Sequence, residues 1–312
     1  MIQERIQQIK KEIGQVIAGQ EQVLDLMLTA LIADGHVLLE GVPGVAKTLS
    51  ARVLSKLVDV AFNRIQFTPD LMPSDVTGTR IYDMKTGGFQ FVKGPIFSQF
   101  ILIDEINRAP AKTQAALFEV MEEGQVTNDG TTYPMAQPYM VLATQNPVEQ
   151  EGTYRLPEAQ LDRFLFKIVF PYPSLEDEVR ILADRNSNPG LNALDSLQPI
   201  LRGEDILALR KQSQSIIIDE SLLSYITHLV RTTRETAALT LGASPRASLD
   251  LMRASKAYAA KEGRDYVTPD DVLTLFPYIV GHRVSLSAEA ELEGQTALSI
   301  CERLVKTVDI PR

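Results

Sequence analysis

Gly41-Val42-Pro43-Gly44-Val45-Ala46-Lys47-Thr48 gathers two glycines, a lysine and a hydroxyl into eight consecutive positions. Small residues let backbone N–H groups wrap phosphate oxygens, a lysine reaches the outer phosphates, and a threonine hydroxyl is a ligand for Mg2+. Loops of this kind usually carry glycine before the lysine. Ala46 stands there instead, and a residue with a Cβ is expected to enter the following helix with negative φ. Two acids, Asp104 and Glu105, close the apolar run Phe100-Ile101-Leu102-Ile103. Asp104 can hold Mg2+ through its water shell, and Glu105 can orient and polarise an attacking water. A third apolar run, Tyr139 to Thr144, ends in Gln145-Asn146-Pro147, which places the Asn146 amide to hydrogen-bond a γ-phosphate or that water.

These groups need a scaffold that brings strand ends together. His36 to Glu40, Phe62 to Phe67, Phe100 to Glu105, Tyr139 to Thr144 and Phe166 to Phe170 read as short strands alternating with helical patterns, the signature of an α/β domain with a mostly parallel five-stranded sheet. Near-continuous apolar runs suit strands covered on both faces. The strand before Gly41 and the helical stretch from Leu49 set the loop at a helix N-terminus, where a phosphate is favoured. The strand carrying Asn146 is expected between the strands carrying Lys47 and Asp104. Arg80 to Phe91 and Gln125 to Tyr139 read as inserted hairpins, the second around Asn128-Asp129-Gly130.

After Tyr172 the pattern becomes helical. Ser174, followed by acids at 176–178, opens a helix toward Asn186. Further starts lie at Asp219, at Ser244-Pro245 and at Thr268-Pro269, each a capping residue and the last two with proline at the first helical position. The expected division is a nucleotide-binding αβα domain over residues 1–173 and an all-helical lid over 174–312.

Lys plus Arg number 31 against 40 Asp plus Glu, a net charge of −9, which opposes non-specific binding to a phosphate backbone. Nucleic acid is therefore not an expected partner. The single cysteine, Cys301, has no partner within the chain and fits a reducing compartment. The first residues alternate charges with isoleucines, unlike a signal peptide, and no apolar stretch reaches the ~20 residues of a membrane span. A cytoplasmic protein is expected. His36, His228 and His282 form no zinc pattern and read as packing or surface residues, and no G-x-S-x-G elbow is present.

With these segments assembled, the sequence resembles the MoxR family of AAA+ ATPases over nearly its whole length. The resemblance is carried by residues 17–22 (IAGQEQ), 36–48 (HVLLEGVPGVAKT), 67–79 (FTPDLMPSDVTGT), 100–127 (FILIDEINRAPAKTQAALFEVMEEGQVT), 143–147 (ATQNP), 156–164 (LPEAQLDRF) and 242–247 (GASPRA). It implies a Walker A loop at Gly41 to Thr48 with Leu49 beside it, Walker B acids at Asp104 and Glu105, and a γ-phosphate sensor at Asn146. Gly19 and Gln20 would border the adenine, Arg163 would be the arginine finger and Arg246 the second sensor. Arg163 precedes the expected edge strand, a placement suited to a neighbour's nucleotide, whereas pairing with Glu158 or Asp162 would make it an ordinary surface arginine. Arg246 lies in a helix's first turn, where the dipole disfavours a cation, and an anionic ligand there would explain it. Arg108 and Arg155 are further candidates to face a neighbour. The resemblance implies ATP and Mg2+ as cofactors, a homo-oligomeric ring, expected to be a hexamer, and a protein partner of the kind bearing a von Willebrand factor A domain. A metal-chelatase subunit, a nucleic-acid motor and a non-hydrolysing nucleotide switch are the alternative expectations.

Overall fold

The computed structural model describes residues 2–85, 87–147, 154, 156–187 and 193–311. The strands in chain order are β1 (Val37–Glu40), β2 (Phe62–Gln66), β3 (Gly78–Asp83), β4 (Gly88–Lys93), β5 (Phe100–Asp104), β6 (Gln125–Asn128), β7 (Thr131–Pro134), β8 (Met140–Gln145), β9 (Phe166–Val169), β10 (Leu239–Leu241) and β11 (Ser285–Leu286). Five form one sheet in the order β2-β5-β8-β1-β9, and every pair in it is parallel. Helices Glu21–Ile32, Lys47–Leu57 and Ala111–Glu123 flank it. As expected, β8 lies between β1 and β5, so all three motif-bearing strand ends are neighbours.

Two-residue periodicity divides the sheet's side chains between two cores. Val37, Leu39, Phe100, Leu102, Met140 and Leu142 belong to the core shared with the Glu21–Ile32 and Lys47–Leu57 helices and the C-terminal helices. The intervening Leu38, Ile101, Ile103, Val141 and Ala143 pack with Leu117, Phe118 and Met121 of the Ala111–Glu123 helix. Central β5 is buried throughout, while edge strand β2 alternates toward polar, partly exposed residues.

Both inserted hairpins are present. β3 pairs antiparallel with β4, and β6 with β7. At the second turn Asp129 and Gly130 have φ of 50° and 75°, the paired positive values of a tight hairpin that Asp-Gly favours. Phe91 stacks on Tyr133 at 4.5 Å and Arg80 pairs with Asp129, so the ribbons are joined to each other.

The C-terminal part is helical, with Leu175–Ser187, Glu220–Glu235, Pro245–Lys261 and Pro269–Val280 beginning where the capping residues indicated. Asp219 accepts from the Ser221 N–H at 2.8 Å. A short ribbon, β10 with β11, adds a feature that the helical patterning did not announce. Residues 188–192 and Arg155 lie outside the described residues. Among the described residues no helix is long and apolar enough to cross a membrane.

A buried charge cluster fastens the first helices to this C-terminal part. Lys261, 1% exposed, places Nζ 2.5 Å from Asp25 Oδ2 and 3.1 Å from Thr29 Oγ1, and lies 4.0 Å from the Tyr258 ring centroid. Lys10 bridges Asp25 at 3.1 Å and Glu262 at 2.8 Å. Burial pulls the Lys261 pKa down against the pull of Asp25. Removing one partner of so buried a pair typically costs about 3–5 kcal/mol, because the other charge is left uncompensated.

Candidate active site

The predicted loop, acids and amide converge on a cavity of about 380 Å³ at the C-terminal ends of the parallel strands. Pro43, Gly44, Ala46, Lys47, Thr48 and Leu49 form its loop side, and Asp104, Glu105 and Asn146 face them across it. The remaining loop residues support it: Val45 is buried, Val42 packs against the core, and Gly41 lies so close to Phe170 that a Cβ would come within 3.0 Å of its Cβ. Lys47 Nζ donates to the carbonyls of Gly41 and Val42, so the ammonium is held over the loop's mouth.

Ala46 departs from expectation. Its φ is +67°, left-handed, following Gly44 at +90°. A helix entry at negative φ was the wrong inference, because a loop that turns successive N–H groups inward needs a left-handed step before the helix begins. Alanine accepts that step at a cost of roughly 1–2 kcal/mol.

Asp104 is buried, with a side chain 9% exposed. Its Oδ1 accepts from the Thr144 hydroxyl at 3.2 Å, and that oxygen in turn accepts from the Glu105 N–H at 3.0 Å. Glu105 sits at φ 57°, ψ 52°. This left-handed turn breaks the strand's alternation and brings both acids to one cavity, strain of the kind that collects at functional sites. Glu105 Oε2 accepts from Gln66 Nε2 at 2.8 Å and pairs with Arg108 Nε at 3.2 Å. Arg64 Nε lies 2.5 Å from Asp104 Oδ2. Sequence reasoning missed Arg64, Gln66 and Thr144. The available signal was the polar alternation of Arg64 and Gln66 in the second strand run.

Gly19 and Gln20 do not line this cavity but stand behind it. Gln20 is 2% exposed, and its Nε2 donates to the Pro171 carbonyl at 3.3 Å, one residue beyond the Phe170 that walls the loop. Its Oε1 is buried with no hydrogen-bond partner among the described residues, an acceptor that suits the exocyclic amine of a base. Gly19 abuts the Asp177 carboxylate, where a Cβ would come within 2.6 Å of Oδ2.

The two predicted arginines gather elsewhere. Arg163 and Arg246 line a second polar cavity, about 350 Å³, together with Asp34, His36, Glu122 and Arg253. Gly35 and His36 precede β1, Tyr139 precedes β8 and Arg163 precedes β9, so this cavity lies at the N-terminal ends of the strands, opposite the first. Arg163 is bound neither to Glu158 nor to Asp162. Its Nη2 lies 2.7 Å from Glu122 and its Nη1 donates to the Ala159 carbonyl at 2.9 Å, while Glu158 accepts from Ser285 and Asp162 pairs with Arg283. Arg246 stands 4.0 Å from Glu122 and 3.9 Å from Asp162, carboxylates of the chain itself that offset the dipole at its first-turn position where an anionic ligand was expected. Arg283, 8% exposed, fixes the turn beneath Arg163: it lies 2.9 Å from Asp162 and 2.6 Å from Asp250, and donates to the Phe164 carbonyl at 3.0 Å.

His36 and His282 are packing residues, as expected. His36 Nε2 donates to the Met121 carbonyl at 3.0 Å while Nδ1 accepts from the Val141 N–H at 3.0 Å. A proton on Nδ1 would face another donor. Burial brings the His36 pKa down to about 4 and holds that of His282 well below the usual imidazole range. A base whose pKa is lowered by folding binds its proton more readily when unfolded, so stability is full above pH 6.5 and falls as pH drops toward 4. For His36 that loss is up to about 3 kcal/mol. Urea melts at pH 7.5 and 4.5 test it: His36→Gln should reduce the fall in stability, and equal falls in both chains would refute the assignment.

A left-handed loop at the end of a parallel strand, a lysine over it and two acids closing β5, two strands away across β8, define a P-loop ATPase of the AAA class. Residues 36–166 match the model of the ATPase family associated with various cellular activities, and residues 231–304 match an AAA lid domain. The chain belongs to the MoxR family of AAA+ ATPases. It is 43% identical over 310 residues to the chaperone MoxR1 of Mycobacterium tuberculosis, covering 96% of this chain and 81% of that one. It is also 48% identical to YeaC of Bacillus subtilis, covering 96% and 93%. A crystal structure from Cytophaga hutchinsonii superposes with a TM-score of 0.90 at 46% identity, covering all of this chain and 96% of that one.

Proposed function

We propose that this chain hydrolyses ATP with Mg2+ at the interfaces of a homo-oligomeric ring, expected to be a hexamer, and uses the cycle to remodel or mature a partner protein in the cytoplasm. The observation that carries this reading is the separation of two complementary cavities. One holds the phosphate loop, both acids and Asn146; the other, at the opposite end of the same sheet, holds Arg163 and Arg246. Neither arginine lines its own chain's nucleotide cavity, and a head-to-tail ring sets one face of each subunit against the other face of the next. Both arginines would thus serve a neighbour's nucleotide.

The residues present fit the cofactors. Thr48 and Asp104 supply the hydroxyl and carboxylate that Mg2+ accepts alongside substrate phosphates. When bound, Mg2+ would neutralise charge developing on the phosphoryl oxygens. The loop N–H groups and Lys47 bind the phosphates. Glu105 orients a water and takes up its proton, Asn146 fixes the γ-phosphate, and Thr144 holds both acids in register. The chain would work as two units divided near residue 173, so that a change at the nucleotide is passed to the lid.

The partner reading draws on MoxR1 being a chaperone and on the first ribbon, where Ile81, Tyr82, Met84 and Phe89 are 50%, 56%, 89% and 64% exposed. Large exposed apolar groups on a projecting ribbon suit contact with another protein, a von Willebrand factor A domain among the candidates. The enzyme reading predicts Mg2+-dependent ATP turnover by the purified chain, and Lys47→Ala should abolish both turnover and nucleotide binding. A chain with no turnover, unaltered by Lys47→Ala, would sink it.

A further inference from the structure

Two side chains on β2, outside the proposed reaction, reach the two acids of the nucleotide cavity. Arg64 and Gln66 are two residues apart on an edge strand and so share a face, and β2 pairs with β5 in a register that sets Gln66 against Asp104. Gln66 serves Glu105. Arg64 serves Asp104 in an unequal pair, the carboxylate 9% exposed and the arginine 54%. Asp104 Oδ1 is tied to Thr144, so the guanidinium 2.5 Å from Oδ2 is the cation on the oxygen that remains.

A buried carboxylate needs a partner. Here the partner is a cation on a long, half-exposed stem that also lines the cavity, so it can withdraw toward water without disturbing the strand. A metal at Asp104 meets a positive charge already bound to its ligand.

We propose that Arg64 is a built-in counter-ion of Asp104 that competes with Mg2+ and thereby sets the Mg2+ concentration at which nucleotide is bound. The inference rests on the reading of this cavity as a Mg2+-nucleotide site. A merely structural ion pair would loosen the site when removed. Competition predicts the opposite sign, since deleting a charge a few ångströms from a dication removes repulsion and should tighten Mg2+ binding roughly tenfold.

The test uses the full chain and a fluorescent ADP analogue, titrated in EDTA and across a Mg2+ series, with Mn2+ electron paramagnetic resonance in the presence of ADP as a direct measure of the metal. In Arg64→Gln the Mg2+ midpoint should fall about tenfold, while Arg64→Lys, which keeps the charge, should stay within about threefold of the unaltered protein. ADP affinity in EDTA should be alike in all three. A midpoint in Arg64→Gln that is unchanged or higher overturns the inference alone. So does an ADP affinity in EDTA that falls with the charge, which would make Arg64 a phosphate ligand. An unaltered chain that binds no ADP overturns both this inference and the nucleotide reading beneath it. Arg64 sits on an exposed edge, and thermal melting of the three chains verifies that each is folded.

Discussion

Replacing Arg163 with alanine is expected to lower ATP turnover by roughly 10³- to 10⁵-fold, the range over which an arginine finger acts in nucleotide hydrolases, with ATP affinity changed little. Arg163 lies at the opposite end of the sheet from Lys47 and shares no contact with the phosphate loop. Its partners are Glu122, the Ala159 carbonyl and the Phe118 ring, 5.9 Å away. Removing it should therefore leave nucleotide binding standing. The sharper experiment mixes chains. An Arg163→Ala subunit keeps a sound nucleotide cavity, and a Lys47→Ala subunit keeps a sound arginine face, so random co-assembly restores roughly a quarter of the interfaces in a head-to-tail ring. Turnover in the mixture but in neither variant alone is the expected result. Arg246→Ala mixed with Lys47→Ala should behave alike, because Arg246 lines the same distant cavity. If only the Arg163 mixture recovers, Arg246 acts on its own chain's nucleotide and the assignment of both arginines to one interface fails.

The sheet and the gathering of the candidate residues at one end of it were legible because the relevant signals are local. Apolar strands closing on Lys47, Asp104 and Asn146 announce both their secondary structure and their end of the sheet, and a parallel sheet brings those ends together. Ala46 was misread because propensity speaks for a residue in isolation, whereas it closes a loop that is already left-handed at Gly44 and takes a φ of +67° itself. Arg64 and Gln66 were passed over for a related reason: a polar residue on an edge strand is ordinarily solvated, and only the pairing register of β2 with β5 reveals that these two meet the acids. The dipole argument at Arg246 pointed to an anionic ligand and overlooked that side chains of the chain itself can supply the charge. Glu122 and Asp162, from segments remote in sequence, stand within 4.0 and 3.9 Å. The β10–β11 ribbon was silent because three- and two-residue strands carry too little periodicity to register.

Glu105→Gln should lower turnover by roughly 10²- to 10⁴-fold, the contribution of a positioned general base, and should leave the chain folded and able to hold ATP. The amide has the size of the carboxylate and keeps an oxygen for the Gln66 amide, now 2.8 Å from Oε2. The left-handed backbone is held from the other side by the Glu105 N–H on Thr144, so the geometry survives while the proton acceptor is lost. Arg108, 3.2 Å from the carboxylate, loses an ion pair that is partly exposed and costs little. Rapid-mix single-turnover measurements separate the steps: ATP should bind at the unaltered rate and then persist, uncleaved. That persistence makes Glu105→Gln the form in which a partner protein should stay engaged, so co-purification with it, and not with Lys47→Ala, links the acid's chemistry to the partner. Turnover above about a tenth of the unaltered rate would mean that the water is activated from elsewhere. The left-handed turn at Glu105 would then serve only to seat Asp104 against Thr144.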